Sequence, residues 1–493
     1  MTTTRDTRLA WLSAVGVAAL CLARVWYVAG RPDLAITVVP DDAFYYLKLA
    51  QNRVALGAWT FDGTAVTSGF HLLHEYLVAL AYLVLPVAGD DWVGMLRLIG
   101  SVASVCLGAA AALTIRAGQR LYGAAAGWWA LVVFVSPPVV LLSPMMMEAP
   151  LVVLGAAAIL FVVSGGAPRG RAAAVGPFLV GFAAALARSD AVLLPALVWV
   201  ACLIHRSPGS DPRLRRAGAV LRGSATGFVA TLLHTLVTSG ALLQTSVRTK
   251  LRWSGETRSL LADVVGPAYI AVFLLVLGFA ILVVRRRGTP RLLAEPITLA
   301  CLLAVVAYSG LYSVAGQGVQ PWYIASLVAP VALVFVAVGS LGAPRLVRVA
   351  LPVLAAVSLL ATTAQFEREL WPWQRGVLHA AQKVHEDASI TRLGSWNAGI
   401  LAVVSGAVVT NLDGLVDDRA AAAGARGDIL GYLRERGIVD VVDHPEMLTS
   451  AQNGEAGGRL VDCLVAVAAL SDPDDPGSGP GPVMLFRVRP GCG

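Results

Sequence analysis

Charged residues are scarce in this chain of 493 residues. Asp, Glu, Lys and Arg make up only 14% of it, whereas hydrophobic residues make up 57%. A soluble domain of this length does not need so much apolar sequence, so a soluble globular protein is excluded. The apolar residues fall in repeated runs of about twenty, the length of a helix that crosses a bilayer. They predict an integral membrane protein with α-helical spans.

Other features are also missing. The six cysteines have no metal-site spacing, and no internal repeat is visible. The net charge of +7 is divided among short loops between apolar runs, which is not the single basic patch of a nucleic-acid-binding protein. Cys463 and Cys492, in the C-terminal polar region, are the one candidate disulfide pair. The other cysteines lie inside apolar runs and are interpreted as small core residues: Cys21, Cys106, Cys202 and Cys301.

The apolar runs predict about eleven spans. The first is long, contains Arg24 and has no clear cleavage site, so it is interpreted as a retained span and not as a signal peptide. A further run at 72–88 is ambiguous. The predicted spans are 9–30, 93–115, 122–142, 148–165, 172–187, 190–205, 216–238, 264–285, 295–315, 322–342 and 347–364.

The distribution of arginine decides the topology. If 72–88 does not cross the membrane, every short basic loop lies on the cytoplasmic side, whereas a crossing there would place five of them outside against the positive-inside rule. We therefore predict an inner N-terminus and a juxtamembrane or re-entrant helix at 72–88 on the outer face. The inner loops then carry Arg5 and Arg8; Arg116 and Arg120; Arg169 and Arg171; Arg206, Arg213, Arg215 and Arg216; Arg285, Arg286, Arg287 and Arg291; and Arg345 and Arg348.

The composition changes after about residue 363. Trp371-Pro372-Trp373 is typical of an interfacial aromatic group. Short apolar strands then alternate with helical stretches, which predicts a small α/β domain. The chain is thus expected to be an α-helical polytopic membrane protein: a transmembrane module at 1–364 with a first outer loop at 31–92, and a C-terminal extracytoplasmic α/β domain at 365–493. Ser471–Pro482 is predicted to be a flexible loop.

The most distinctive polar stretch runs from Pro40 to His71, directly after the first span. A helix beginning there carries Asp41, Tyr45, Lys48 and Asn52 on one face. One of the two adjacent carboxylates, Asp41 and Asp42, can cap this helix, which leaves the other for chemistry. The sequence does not decide which.

These residues carry a resemblance. Asp-Asp-Ala-Phe-Tyr-Tyr-Leu-Lys at 41–48, Trp-Thr-Phe-Asp-Gly at 59–63 and Thr-Ser-Gly-Phe-His at 67–71 resemble the first outer loop of bacterial and archaeal GT-C glycosyltransferases, which include mannosyl- and arabinosyltransferase groups. Two departures are Asp417-Asp418, where relatives often carry Asn, and Leu72, where Pro is expected. Similar short stretches occur at Met147-Glu148, Ala187–Asp190, Thr238–Gly240 with Lys250, Gln320–Tyr323, Trp396–Gly399 and Asn411–Gly414.

The resemblance implies an inverting membrane enzyme that takes a sugar from a polyprenyl-phosphate donor. Such a reaction needs a base for the acceptor hydroxyl and cations for the phosphate. Asp41 or Asp42 is the predicted base, Glu148 and Asp190 assist or orient, and a divalent Mg or Mn ion on the paired carboxylates is left open. The predicted substrate contacts are Tyr45, Lys48, His71, Arg188, Arg248, Lys250, Trp322, Tyr323, Trp396, Asn397, Asn411 and Asp413.

Each of these assignments has a simpler alternative. Glu148 can merely begin a helix, Arg188 and Asp190 can pair with each other, and Trp322-Tyr323 can be aromatic-belt residues. The basic stretch 239–263 either holds a lipid phosphate or lies among anionic headgroups. His71 and His74, one helical turn apart, favour packing or acceptor contact over a metal pair.

We therefore expect a glycosyltransferase at the outer face of the cytoplasmic membrane, acting on a glycan, lipid or protein acceptor. The alternative is a multi-span transporter or lipid flippase, which should carry ionisable residues in the middle of its spans or paired interrupted helices. Here ionisable residues crowd the ends of spans, and only Arg24 lies well within one. A non-enzymatic membrane scaffold would not need the outer acidic cluster.

Overall fold

The computed structural model describes residues 4–85, 91–165, 172–205, 211–252, 294–314, 320–341, 344–448, 457–472 and 481–492. A helical part extends to residue 364 and is followed by an α/β part. The helices of the first part are α1 (Thr4–Ala29), α2 (Pro32–Val38), α3 (Asp41–Leu56), α4 (Leu72–Val84), α5 (Trp92–Tyr122), α6 (Ala130–Phe134), α7 (Pro137–Val140), α8 (Ala149–Ser164), α9 (Ala172–Ala187), α10 (Leu193–Ile204), α11 (Pro212–Ser239), α12 (Thr245–Arg252), α13 (Pro296–Val314), α14 (Ala325–Ser340) and α15 (Pro344–Ala364).

Four helical stretches of the described chain are long and apolar enough to cross a bilayer: Asp6–Ala29, Trp92–Tyr122, Pro212–Ser239 and Pro321–Ser340. Shorter apolar helices include α8, most of α9 and Ser189–Ile204. The predicted total of about eleven spans therefore stays a prediction, and the predicted span 264–285 lies outside the described residues.

The predicted span 122–142 is wrong as a single helix. Ala126–Phe134 and Pro137–Met145 meet at a bend of 60°. The bend falls at Ser136-Pro137-Pro138, where proline removes a backbone N–H donor and disfavours the helical conformation of the residue before it. The apolar composition of the run conceals this break.

Helix α4 agrees with the prediction that the run at 72–88 does not cross. It has 13 residues and ends at Val84. At 1.5 Å per residue it measures roughly 20 Å, whereas a bilayer core is about 30 Å thick. It packs against α3 and α9.

Glycines allow helices α9 and α11 to pack closely. A Cβ on Gly223 of α11 would lie 1.9 Å from the carbonyl oxygen of Phe178 on α9, and one on Gly181 would lie 2.1 Å from that of Val220. Larger residues are therefore excluded at both positions. Close backbone approach at small residues is typical of helices that associate in membranes.

The C-terminal part is built on one sheet of five strands in the order β2-β1-β3-β5-β4. The strands are β1 (Arg392–Ser395), β2 (Val408–Asn411), β3 (Asp440–Asp443), β4 (Leu464–Ala469) and β5 (Met484–Val488). Strands β1, β2 and β3 are parallel, and β5 runs antiparallel to β3 and β4. The helices are α16 (Gln374–Glu386), α17 (Ala398–Val404), α18 (Asp418–Ala425), α19 (Ile429–Glu435) and α20 (Gly457–Cys463).

The predicted cysteine pair is confirmed. Cys463, at the end of α20, is bonded to Cys492, and their Cα atoms are 5.6 Å apart. The other four cysteines are free, and three of them are buried. Most of the predicted loop Ser471–Pro482 lies outside the described residues.

The first outer loop and the C-terminal part fit closely together. A Cβ on Gly69 would lie 2.0 Å from the carbonyl oxygen of Leu415, so the two backbones are in direct contact. Arg436 forms a buried ion pair with Asp62 and also reaches Thr64. The loop is therefore held by residues more than 340 positions later in the chain.

Candidate active site

A cavity of about 400 Å³ lies beside the N-terminal half of α3, where the helical part meets the C-terminal part. Its apolar wall includes Phe228 of α11 and Leu311 of α13. Its polar wall comes from α3, the residues before α4 and α8, the turn between α9 and α10, α12, α13, and the 3-10 helix Pro321–Ile324. The polar and aromatic residues that line it include Asp42, Tyr45, Tyr46, His71, Glu148, Arg188, Asp190, Lys250, Tyr312, Trp322 and Tyr323.

The two adjacent carboxylates at the start of α3 face different ways. The buried Asp41 does not line the cavity; its carboxylate accepts hydrogen bonds from the backbone N–H groups of Gly399 at 3.0 Å and Ile400 at 2.8 Å. Neither Asp caps α3, because Pro40 is the N-cap and no side chain bonds there. Asp41 instead caps α17 of the C-terminal part.

Asp42 is the carboxylate that lines the cavity. Burial raises its pKa, and the positive charge of Lys250 opposes this shift without cancelling it. A carboxylate with a raised pKa is a better proton acceptor at neutral pH than an ordinary aspartate.

Glu148 holds several cavity side chains together. It is fully buried, with His71 Nε2 at 3.5 Å and Arg188 Nη1 at 3.6 Å from Oε1. The Tyr46 hydroxyl donates to Oε2 at 3.3 Å. Glu148 does occupy the position before α8, as its simpler alternative predicted, but its side chain makes no cap.

Arg188 is shared between two carboxylates. Its Nε lies 3.2 Å from Asp190 Oδ1, so the predicted alternative that these two residues pair is correct, and its Nη1 also reaches Glu148. The guanidinium carbon lies 4.8 Å from the centre of the Tyr323 ring. Tyr323 OH accepts a hydrogen bond from Lys250 Nζ at 2.9 Å. Among the described residues Lys250 forms no ion pair with a carboxylate, and its charge acts on Asp42.

The C-terminal residues predicted to contact substrate lie one layer behind the cavity wall. Asn411 Nδ2 donates to Tyr45 OH at 3.1 Å, and this hydroxyl lies 3.1 Å from both Asp413 Oδ2 and the Trp396 carbonyl oxygen. Asn397 donates to Asp443 at 2.8 Å. Burial raises the pKa of Asp413 to about 8. Asn411, Asp413 and the Trp396 carbonyl thus surround the Tyr45 hydroxyl.

Two predicted cations also lie outside the cavity lining. Arg248 forms an ion pair with Asp418 at 2.6 Å, which ties α12 to α18. Lys48 is half-buried on α3, away from the cavity.

Sequence reasoning missed Tyr46 and Tyr312. The predicted face of α3, with Asp41, Tyr45 and Asn52, is directed mainly at other protein residues. The cavity face begins one residue later, with Asp42 and Tyr46 at i and i+4. This spacing was present in the sequence, whereas Tyr312, which donates to Asp190 at 2.5 Å, had no local signal.

The two carboxylates on which a divalent ion was left open face different surroundings. Both oxygens of Asp41 accept backbone N–H bonds outside the cavity, whereas Asp42 lines the cavity. Across the described ranges no three His, Cys, Asp or Glu side chains converge. The Nε2 atom of His74 is not available to bind a metal together with His71, because it bonds the Met146 carbonyl at 3.0 Å.

The sequence matches no protein-family model and no curated protein. The fold is nevertheless similar to solved structures. ArnT from Cupriavidus metallidurans bound to undecaprenyl phosphate is 14% identical with a TM-score of 0.61, over 97% of this chain and 98% of that one. The oligosaccharyltransferase of Archaeoglobus fulgidus, tethered to an acceptor peptide, is 11% identical with a TM-score of 0.53, over 88% of this chain and 69% of that one.

These likenesses show the fold: the chain has a GT-C-type fold, that of the ArnT and oligosaccharyltransferase structures. The resemblance predicted from the first outer loop is confirmed at the level of fold. Of the two structures, ArnT is similar over nearly the whole length of both chains.

Proposed function

We propose that this protein is a glycosyltransferase that moves a sugar from a polyprenyl phosphate to an acceptor hydroxyl, with Asp42 as general base. The observation that carries the proposal is the cavity in a GT-C fold that brings Asp42, Lys250 and Arg188 together beside an apolar wall. The undecaprenyl phosphate bound by ArnT supports a donor of the same chemical class.

In the proposed reaction Asp42 removes the proton of the acceptor hydroxyl. The acceptor oxygen forms a bond to the anomeric carbon from the side opposite the phosphate, and the carbon–oxygen bond to the phosphate breaks. The polyprenyl phosphate leaves with the electron pair, so the configuration at carbon inverts. Lys250 and the guanidinium of Arg188 stabilise the negative charge on the phosphate.

The apolar wall suits the polyprenyl chain. Phe228 and Leu311 belong to helices α11 and α13, and Leu311 is partly exposed on the outer surface of the fold. A lipid tail can therefore lie along these helices while its phosphate reaches Lys250. We also propose that the site lies at the outer face of the cytoplasmic membrane, with residues 365–493 as an extracytoplasmic domain. The Cys463–Cys492 disulfide supports this placement, since disulfides persist in oxidising compartments.

The test is transfer by the purified protein in lipid vesicles. Polyprenyl phosphates carrying radiolabelled hexoses or pentoses are supplied as donors, and a cell-envelope extract supplies the acceptor. We expect label to leave one donor and appear in the acceptor fraction. The matched control is Asp33→Asn, an exposed carboxylate in the same outer loop, which should equal the parent. Failure of every donor to bind or to lose label would contradict the proposal.

The ionisation of Asp42 should determine how the transfer rate changes with pH. A base must be ionised, and burial raises the pKa of Asp42. We therefore expect kcat/KM to fall on acidification, with a midpoint above the 3.8 of an ordinary aspartate. The measurement is a pH profile of donor consumption. A rate that is flat down to pH 4 would show that no such base limits transfer.

A further inference from the structure

A left-handed backbone turn lies immediately before Glu148. Met146 has φ of 54° and is the only non-glycine residue with positive φ in the described ranges. It is also buried. This conformation is unfavourable for a residue with a Cβ, and it persists only where the surroundings hold it.

One side chain holds this turn from α4. His74 Nε2 lies 3.0 Å from the Met146 carbonyl oxygen, and since a carbonyl can only accept, Nε2 carries the proton. Burial lowers the pKa of His74 to about 4, so the ring is neutral at physiological pH and makes this bond without a charge. His74 is itself nearly inaccessible to solvent.

Tyr46 contacts both His74 and Glu148. Its ring packs edge-on against the His74 ring, with centroids 4.8 Å apart and planes at 90°. Its hydroxyl donates to Glu148 at 3.3 Å. The turn at Met146, the bond from His74 and the contacts of Tyr46 thus converge on the carboxylate that binds His71 and Arg188.

We propose that His74 is a positioning residue that clamps the strained turn at Met146 and thereby fixes Glu148 between His71 and Arg188. This role rests on the proposed function. His74 does not touch the substrate; it acts through the backbone that carries Glu148. If the clamp breaks, the turn relaxes toward negative φ, Glu148 shifts, and Arg188 loses its alignment at the cavity.

The strain provides a specific test. His74→Phe keeps a ring against Tyr46 but removes the donor, so we expect transfer to fall at least tenfold through kcat. Met146→Gly removes the strain, because glycine adopts positive φ without a steric cost. Met146→Gly should therefore restore most of the activity to His74→Phe, whereas a merely structural role for His74 predicts that two core substitutions add their losses.

Thermal unfolding of the parent, His74→Phe, Met146→Gly and the double variant separates the clamp from the proposed function. The loss of stability caused by His74→Phe should be smaller in the Met146→Gly background, whether or not sugar is transferred. If His74→Phe costs less stability in the Met146→Gly background but no protein transfers sugar, the clamp is supported and the proposed function is overturned. Additive losses in an active enzyme would overturn the clamp. His379→Phe, at an exposed site on α16, is the control and should change neither readout.

Discussion

Asp42→Asn is expected to lower the rate of sugar transfer by about 10²–10⁴, the usual cost of losing a general base. Asparagine keeps the size of the side chain and its hydrogen bonding, but it cannot take a proton at neutral pH. The side chain lines the cavity and is not one of the contacts that tie α3 to the C-terminal part. The thermal stability of the variant should therefore remain close to that of the parent. The measurement is donor consumption at saturating donor, with unfolding followed in parallel.

Asp41→Asn is the matched control at the neighbouring position. Its carboxylate accepts two backbone N–H bonds, and an amide offers only one acceptor oxygen. The expected loss is about 1–3 kcal/mol of stability, the range for a hydrogen bond to a charged group or a buried group left unsatisfied. Transfer should fall less than in Asp42→Asn. The reverse pattern, with transfer abolished and stability unchanged in Asp41→Asn, would move the base to Asp41.

Arg188→Met is expected to destabilise the protein by about 3–5 kcal/mol, because it leaves a buried carboxylate without its cation. The Arg188 and Glu148 side chains are 6% and 1% exposed, so water cannot replace the missing charge. Transfer should also be lost, since Arg188 reaches the cavity. The measurement is the free energy of unfolding in a mild detergent.

Two further variants separate structure from chemistry at this site. Adding Glu148→Gln to Arg188→Met removes the stranded charge and keeps a partner for Tyr46, so it should recover part of the stability without recovering transfer. Arg248→Met breaks the half-exposed pair with Asp418, and it should cost no more than about 1 kcal/mol. Equal losses of stability in Arg188→Met and Arg248→Met would show that burial of the Arg188–Glu148 pair does not set its contribution to stability.

The sequence predicts the architecture because the relevant signals are local. Arginine in short loops led to the prediction that the run at 72–88 does not cross, with which the short α4 agrees, and alternating apolar segments identified the α/β part. The break near Pro137 was missed since apolar residues continue on both sides of it. Run length alone does not distinguish a straight span from a bent one.

The site was predicted less completely, and the reason is visible on α3. Neighbouring residues on a helix point about 100° apart, so Asp41 and Asp42 necessarily face different surroundings. Asp42 faces the cavity, whereas Asp41 faces the backbone at Gly399, 358 positions away. Nothing in the stretch 40–71 identifies which side is the cavity. For the same reason the sequence could not show that Asn411 and Asp413, which were predicted to contact substrate, bond Tyr45 behind the cavity wall.

The close fit of Gly69 against Leu415 and of Asp41 against Gly399 has a consequence for biosynthesis. Residues separated by 358 positions must meet before the first loop is complete. At about 5–20 residues per second, a ribosome needs on the order of 20–70 s to make that intervening chain. During this interval the C-terminal partners of Asp41, Asp62 and Gly69 have not yet been synthesised. The last fifth of the chain to be synthesised therefore decides when the first polar segment acquires its final shape, and a ribosome that stalls after α15 would leave a product whose first outer loop lacks its C-terminal contacts.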